Sequence, residues 1–523
     1  MQRSGVTLQV MVLGALMVMG GHCWAQADKR SVLMISSTAA DISTLDPHRT
    51  TLVGDMGLVS EIFSALVRFV PGDADPSALE PDLAQSWEAS ADNRTWTFHL
   101  RKGVQFHAGY GELKASDVVY SILRAADPKR SSFAASFDLL DKVEALDDYT
   151  VRMALKYPDA AFLGRVSNYH GGYIVSQAAA EKLSSTFGQS PVGTGPFVFT
   201  EHVTQQYVKL TANDAYFRGA PKLGGITYRM IPSDSARELA FSATELDLVA
   251  GKREQRWMER AIKRGAPLDI FDPAEYRTLF LNRNIKPLDN LKVRQAIAAA
   301  IDVDDIMRFV GNSVAQKSCS VVPNGYLGTD CSVGNYVHDP QYAKRLLKEA
   351  GFPDGITISS VVSSTAAQLP IMQVVQSQLA QAGIILKMEV VDHATYQAKS
   401  RKDQSALVFY GAARFPNADY WLTEFYDSKA AIGTPGAMSN FAHCQVADQD
   451  IRQARIEPDP KRQLALWREA QIKIKDDVCG VPLFGLKQVW MRSKDIHYGF
   501  ALKGALNLQP IITENTTLTR EED

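Results

Sequence analysis

Between residues 95 and 101 apolar and polar side chains alternate. Trp96, Phe98 and Leu100 share one face and Thr97, His99 and Arg101 the other, the period of a strand buried on one side. Residues 84–90 read as a preceding strand. Ala91-Asp92-Asn93-Arg94 supply a turn, since Asp and Asn tolerate left-handed dihedrals. Lys102-Gly103 turn the chain again, and Val104 and Phe106 continue the apolar face. Such a unit needs a larger domain beneath it. Elsewhere the period lengthens. Residues 55–69 place Met56, Val59, Ile62, Phe63 and Leu66 on one helical side, and residues 114–126 do the same with Val118, Ile122 and Leu123. Residues 288–301 carry Val293, Ala296, Ile297, Ala300 and Ile301 on one face, which makes Arg294 a structural residue. Asp339 and Pro340 start a helix with Tyr342, Ala343, Leu346, Leu347 and Ala350 as its stripe, and Gly351 ends it. Residues 31–36 predict the first strand. Residues 356–362, 369–382 and 384–391 predict strand, helix and strand, hence a parallel pair with a right-handed crossover.

Length and charge narrow the class. The 523 residues, 46% apolar and 22% charged, suffice for two or three domains, and a net charge of −2 leaves no basic footprint for nucleic acid. Arg3, the apolar run 6–20 and Ala25-Gln26-Ala27 have the order of a secretory leader, which predicts a mature chain starting near Asp28. His22 before Cys23 does not suit a lipid-attachment box. No later apolar stretch is long enough to span a bilayer. Removal of the leader leaves Cys319, Cys331, Cys444 and Cys479. An even number in an oxidising compartment predicts two disulfides. Of the three connectivities, Cys319–Cys331 and Cys444–Cys479 close the shortest loops. No C-x-x-C spacing or clustered histidine supports zinc.

Several segments together resemble the large extracytoplasmic solute-binding proteins of ABC importers, the dipeptide/oligopeptide/nickel-binding family. The segment PDLAQSWEASADNRTWTFHLRKGVQFHAG, from Pro81 to Gly109, is similar to that family's signature hairpin. Its opening "LDP" matches Leu45-Asp46-Pro47, and KASDVVYS from Lys114 matches its "A-x-D-V-x-Y-S" helix. The turn VGTGPF from Val192, and the stretches Leu279–Asn282 and Leu288–Ile301, match two further family motifs in order. The resemblance implies an α/β, two-lobed periplasmic binding protein fold of the cluster C type, with mixed sheets, a hinge and an extra small domain. The implied division is 1–27 leader, 28–72 first lobe, 73–190 small domain, 191–280 first lobe again, 281–488 second lobe and 489–523 a return to the first. It implies a monomeric periplasmic subunit, without a cofactor, that captures a peptide or peptide-like small molecule and delivers it to a membrane permease. A nickel chelate, haem, opine, glutathione-like molecule or sugar is the alternative ligand in the same role.

A secreted hydrolase is the alternative from another class, but no G-x-S-x-G elbow and no H-E-x-x-H occurs. The pairs Asp138/Asp141 and Asp147/Asp148 read as solvated turns and helix ends rather than catalytic carboxylates.

The resemblance directs attention to four places. The loop after the first strand carries Asp41 and Ile42, where oligopeptide binders place an acidic cleft residue. Phe133 and Phe137 match the region of an aromatic cleft residue, and His393 lies near a position often held by tryptophan. The block "G-W-x-x-D-x-x-D-P" of peptide binders corresponds here to residues 409–421. Tyr410 takes the tryptophan position, Ala413 the ammonium-binding aspartate, and Arg414, Phe415 and Asp419 follow, the last at a helix N-cap offset. Losing the aspartate removes the counter-charge of a buried cation, while Arg414 offers a fork suited to a carboxylate. The expectation is an anionic or modified ligand facing Arg414.

Overall fold

A computed structural model describes residues 30–520 except 160, 366 and 435–438. The leader and its cleavage site lie outside the described residues. The largest sheet has nine strands. Its order is Leu407–Ala412, Leu268–Leu281, Gly480–Arg492, Leu248–Ala250, Val32–Ser37, Gly225–Met230, Tyr207–Ala212, Phe197–Val203, with Ala315–Lys317 paired beside Gly480–Arg492. Val32–Ser37 runs parallel to Gly225–Met230, whereas Leu268–Leu281 and Gly480–Arg492 are antiparallel. The sheet is therefore mixed.

Two long strands carry the architecture. Residues Leu268 to Phe271 pair with Met491 to Gln488, and Glu275 to Phe280 pair with Leu486 to Gly480, with a register shift between Phe271 and Glu275. Successive residues of these strands enter different cores, Trp490 one and Val489 and Met491 another. One unites Leu33, Ile35, Ile226, Phe271 and Trp490. The others unite Leu279, Val293, Leu407 and Phe484, and Phe280, Trp421 and Phe425. The two lobes are joined by this two-stranded ribbon, whose residues enter all three cores.

The signature hairpin is present as Ala84–Ala89 and Thr95–Leu100, within a four-stranded antiparallel sheet. Trp96, Phe98 and Leu100 are buried, and Asn93 takes φ +52° in the turn. This sheet has no core of its own: Phe98 and Leu100 belong to the same buried cluster as Leu33 and Ile35.

The helix expected over 55–69 is shorter. It spans Val53–Ile62 and is followed by a strand, Val67–Phe69, paired with Leu79–Pro81. Two family motifs stop it. Gly195 N–H donates to the Ile62 carbonyl at 2.8 Å, and the Asp82 carboxylate accepts the Ala65 N–H at 3.0 Å. A Cβ on Gly193 would lie 2.8 Å from the Ile62 carbonyl carbon, so that turn requires glycine. Tyr342 also departs from expectation. It is 44% exposed beneath Arg345, while Ala343, Leu346 and Leu347 are buried. Strands Ile356–Ser363 and Ile384–Val391 are parallel as expected. Arg294 is structural, donating to Asp477 Oδ1 at 2.9 Å and to the Leu288 carbonyl at 2.9 Å.

The "LDP" motif is a buried polar network. Arg124 forks onto Asp46, at 2.9 and 2.5 Å, and also donates to His48 Nδ1 at 2.8 Å. His48 Nε2 lies 2.9 Å from the Tyr173 carbonyl, so the neutral ring donates there and accepts at Nδ1. Burial, and then Arg124, push its pKa down to about 4.

Both expected disulfides form, Cys319–Cys331 and Cys444–Cys479, with Cα separations of 4.9 and 5.7 Å. Thiol labelling of the denatured, unreduced protein is expected to find no free cysteine among these four, and reduction is expected to cost roughly 2–4 kcal/mol of stability per bridge. His48 sets a pH dependence. An unfolded histidine binds its proton near pH 6.5, whereas this one resists it until about 4. Its contribution is complete above pH 6.5 and is lost as the pH falls towards 4, about 3 kcal/mol in all. Urea unfolding at stepped pH should show this loss in the wild type and a flatter profile for His48→Gln.

Candidate functional site

The lobes meet through the segment between strand Leu407–Ala412 and helix Ala418–Tyr426. Arg414 lies deep between them and still keeps 27% of its side-chain surface accessible. Its Nε and Nη2 donate to the two carboxylate oxygens of Glu424 at 2.5 and 2.6 Å, and Nη1 donates to the Ala413 carbonyl at 2.9 Å. The fork expected to meet a ligand is therefore occupied by the protein's own carboxylate. Burial disfavours the charge on Arg414, but Glu424 more than offsets this and raises its pKa. Tyr326 brackets the same residue. Its hydroxyl donates to the Arg414 carbonyl at 2.8 Å and accepts the Arg414 N–H at 2.9 Å. Tyr326 stands on the loop between Cys319 and Cys331, so that disulfide closes the segment that positions Arg414.

Opposite Arg414 stands His170 of the other lobe. It has φ +47°, and its ring is stacked between Phe133, 4.6 Å away at 8°, and Tyr169, 3.6 Å away at 24°. Burial and then the Arg414 charge push its pKa down to about 3, so the imidazole is neutral. Phe133 thus supports the wall of the cleft from behind, and Phe137 is core, 2% exposed.

A second charged group sits where the ribbon crosses. Glu275 is shared by Arg253 and Arg277, the latter at 3.2 Å. Burial opposes its ionisation, but the two guanidinium groups outweigh it and hold its pKa at about 2. Arg277 is 5% exposed and packs against Gly411 of the neighbouring strand. Burial lowers its pKa, and its buried Nε has no hydrogen-bond partner among the described residues. Two cations share one carboxylate here.

The other expected positions are more local. Asp41 Oδ1 lies 2.7 Å from His202 Nε2 and also accepts the Ile42 N–H at 2.9 Å, and Ile42 packs on its own lobe's core. Burial raises the Asp41 pKa, but these two contacts prevail and lower it. Tyr410 is half-buried against Phe441, at 4.9 Å between centroids. Asp419 is not the N-cap: Asn417 is, accepting the Asp419 N–H at 2.7 Å, while Asp419 pairs with Arg455 at 3.1 Å. His393 is exposed on the first turn of a helix, beside Ser363 and Gln397, and apart from this group. Glu424, Tyr326, His170 and Arg277 were not singled out by sequence. Glu424 is ten residues past Arg414, with no motif to connect them. Only the run Tyr169-His170-Gly171-Gly172 carried a local sign, an aromatic and a histidine before two glycines.

Two lobes closing over buried charge define a solute-binding protein. The comparisons agree. The model of the bacterial extracellular solute-binding proteins, family 5 (Middle), matches residues 78–433, and the chain belongs to that family. It is 42% identical to a solved structure of the PBP/SBP MoaA from A.tumefacien R10 in complex with mannopinic acid, with a TM-score of 0.86 over 94% of this chain and 100% of that one. A periplasmic binding protein DppA from Helicobacter pylori, in complex with the peptide STSA, is 29% identical with a TM-score of 0.81 over 94% of this chain and 98% of that one. The glutathione-binding protein of Pectobacterium atrosepticum is 29% identical over 90% of this chain and 91% of its own length. The family is one of extracytoplasmic binding proteins of transport systems, and no described helix is long and apolar enough to cross a membrane.

Replacing Glu424 by Gln removes half of an enclosed ion pair and leaves Arg414 undercompensated. A loss of about 3 kcal/mol in urea unfolding is expected, with partial recovery in an Arg414→Met, Glu424→Met double variant.

Proposed function

We propose that this protein is the ligand-capturing subunit of an ABC importer, and that its ligand is a small peptide or peptide-like conjugate bearing a carboxylate. The observation that carries the reading is the excess of buried positive charge at the ribbon crossing, where Arg253 and Arg277 share Glu275 and the Arg277 Nε has no partner among the described residues. A guanidinium with spare donors in an enclosed, water-poor place favours a planar anion. The named ligands of the relatives, a tetrapeptide written STSA, glutathione and mannopinic acid, fit this class. An opine is thus one form of the same acid-bearing ligand.

In this reading Arg414 organises the cleft wall through Glu424, and the neutral His170, stacked on Phe133, offers a ring nitrogen to the ligand. Asp41, Ile42 and Tyr410 flank the opening. The lobes close about the ribbon and release the ligand, unchanged, to the permease. The leader is removed after Ala27, and the mature chain works as a periplasmic monomer.

Thermal unfolding tests the ligand class. Di- and tripeptides and mannityl amino acids are expected to raise the melting temperature by mass action. The same compounds as C-terminal or terminal amides should raise it much less, and Arg277→Met should lose the difference. Equal shifts from acids and amides would defeat the reading, as would ligand recovered in cleaved form.

A further inference from the structure

Phe415 is the second feature of the interlobe segment, and its surroundings differ from those of a ligand contact. Its side chain is 2% exposed in a small apolar cluster whose other buried members, Met56, Phe69, Tyr169 and Leu506, all belong to the opposite lobe. Its ring centroid lies 5.8 Å from Phe69 and 6.5 Å from Tyr169. Gly164 of that lobe completes the fit. A Cβ there would lie 2.5 Å from Phe415 Cε2 and 2.8 Å from Cε1, and nearer still to Cζ. Gly164 sits in the short helix Phe162–Arg165 and has no positive φ. Its own backbone does not call for glycine; the approach of Phe415 does.

We propose that Phe415 is a latch that holds the lobes shut, with Gly164 as its keyhole, and that it favours closure whether or not a ligand is present. With the lobes apart, Met56, Phe69, Tyr169 and Leu506 would line a water-filled socket, and Phe415 would stand exposed on its segment. Closing removes both apolar surfaces from water at once. The latch is held stiffly. Glu424 fixes Arg414 on one side of it, and Asn417 caps the helix on the other. Beside it the Arg165 guanidinium lies 4.8 Å over the Tyr420 ring, steadied by Asp159 at 2.7 Å and the Ser136 carbonyl at 2.6 Å. Cavities lie on both sides of this segment. A cavity of about 350 Å³ opens on its Pro416 side, between Asp73, Lys503 and Tyr326, and one of about 240 Å³ opens on its Asn417 side, between Leu79, Leu163 and Leu327. A ligand therefore meets a protein biased towards the closed form, and escape requires the latch to be drawn.

The inference rests on the reading that the lobes open and close, but not on the class of ligand. Small-angle X-ray scattering of protein refolded from denaturant, with no ligand added, tests it. Wild type is expected to have the radius of gyration of the closed structure. Phe415→Ala, which empties the keyhole, and Gly164→Val, which blocks it, should both shift the protein to a larger radius, with Phe415→Leu between them and the wild type. In the double variant, Phe415→Ala should relieve part of the opening caused by Gly164→Val, because the valine then fills vacated space. Circular dichroism reports whether each variant folds, and the two single variants alter different lobes, so failure of one leaves the other as the test. An open wild type would overturn the latch. So would unchanged radii in the folded variants, including the case in which Phe415→Ala weakens only ligand binding. The acid-against-amide comparison reads the ligand class independently of either result.

Discussion

The structure depends on a ribbon of two antiparallel strands, Leu268–Leu281 and Gly480–Arg492, that neither lobe owns. The pairing along it is interrupted by two register shifts, between Phe271 and Glu275 and between Arg277 and Thr278. A paired ladder resists stretching and shear but tolerates twist, and the irregularities are where twist costs least. The lobes are thus free to change their angle and not their separation along the ribbon. The chain crosses twice at this place, and one apolar core runs past it, from Val489 and Met491 to Leu279 and Phe484.

Charge is arranged around that crossing. Strand alternation puts Glu275 and Arg277 on one face, Arg253 reaches Glu275 from the loop after strand Leu248–Ala250, and Arg277 faces Gly411 because a larger residue would displace its guanidinium. Glu424 and Arg414 form a tighter pair further along the cleft. Closure takes all five groups out of bulk water, where their attractions strengthen and any imbalance becomes costly. The closed cleft is neutralised at Arg414 and left one positive charge in excess at Arg277.

Much of the fold was legible because local chemistry and tertiary context agree. Trp96, Phe98 and Leu100 alternate into the core, Asp339 and Pro340 start their helix, and the four cysteines pair by the shortest loops. The helix over 55–69 failed as an expectation because its apolar spacing continues past Ile62, while the signals that stop it, Asp82 and Gly195, are distant in sequence. The site was legible as a segment and not as a set of contacts. Resemblance led to residues 409–421, where Arg414 and Phe415 do lie between the lobes. It did not disclose Glu424 as the partner of Arg414, or Asn417 as the cap in place of Asp419. Both partners stand on the same segment and its helix, but whether a side chain there bonds back or points into the cleft is fixed by tertiary packing, which leaves no periodicity to read.

The four-stranded sheet carrying the signature hairpin shares one buried cluster with strand Val32–Ser37. It has no slip plane against the larger sheet, so the first lobe turns as a single stiff body. Geometry then makes the whole lobe a pointer. A few degrees of twist at the ribbon are multiplied by the lobe's full radius, and the outer surface sweeps an arc many times longer than the motion at the ligand. A membrane partner grasping that far surface would read the occupancy of a distant cleft as a displacement of its own contact points.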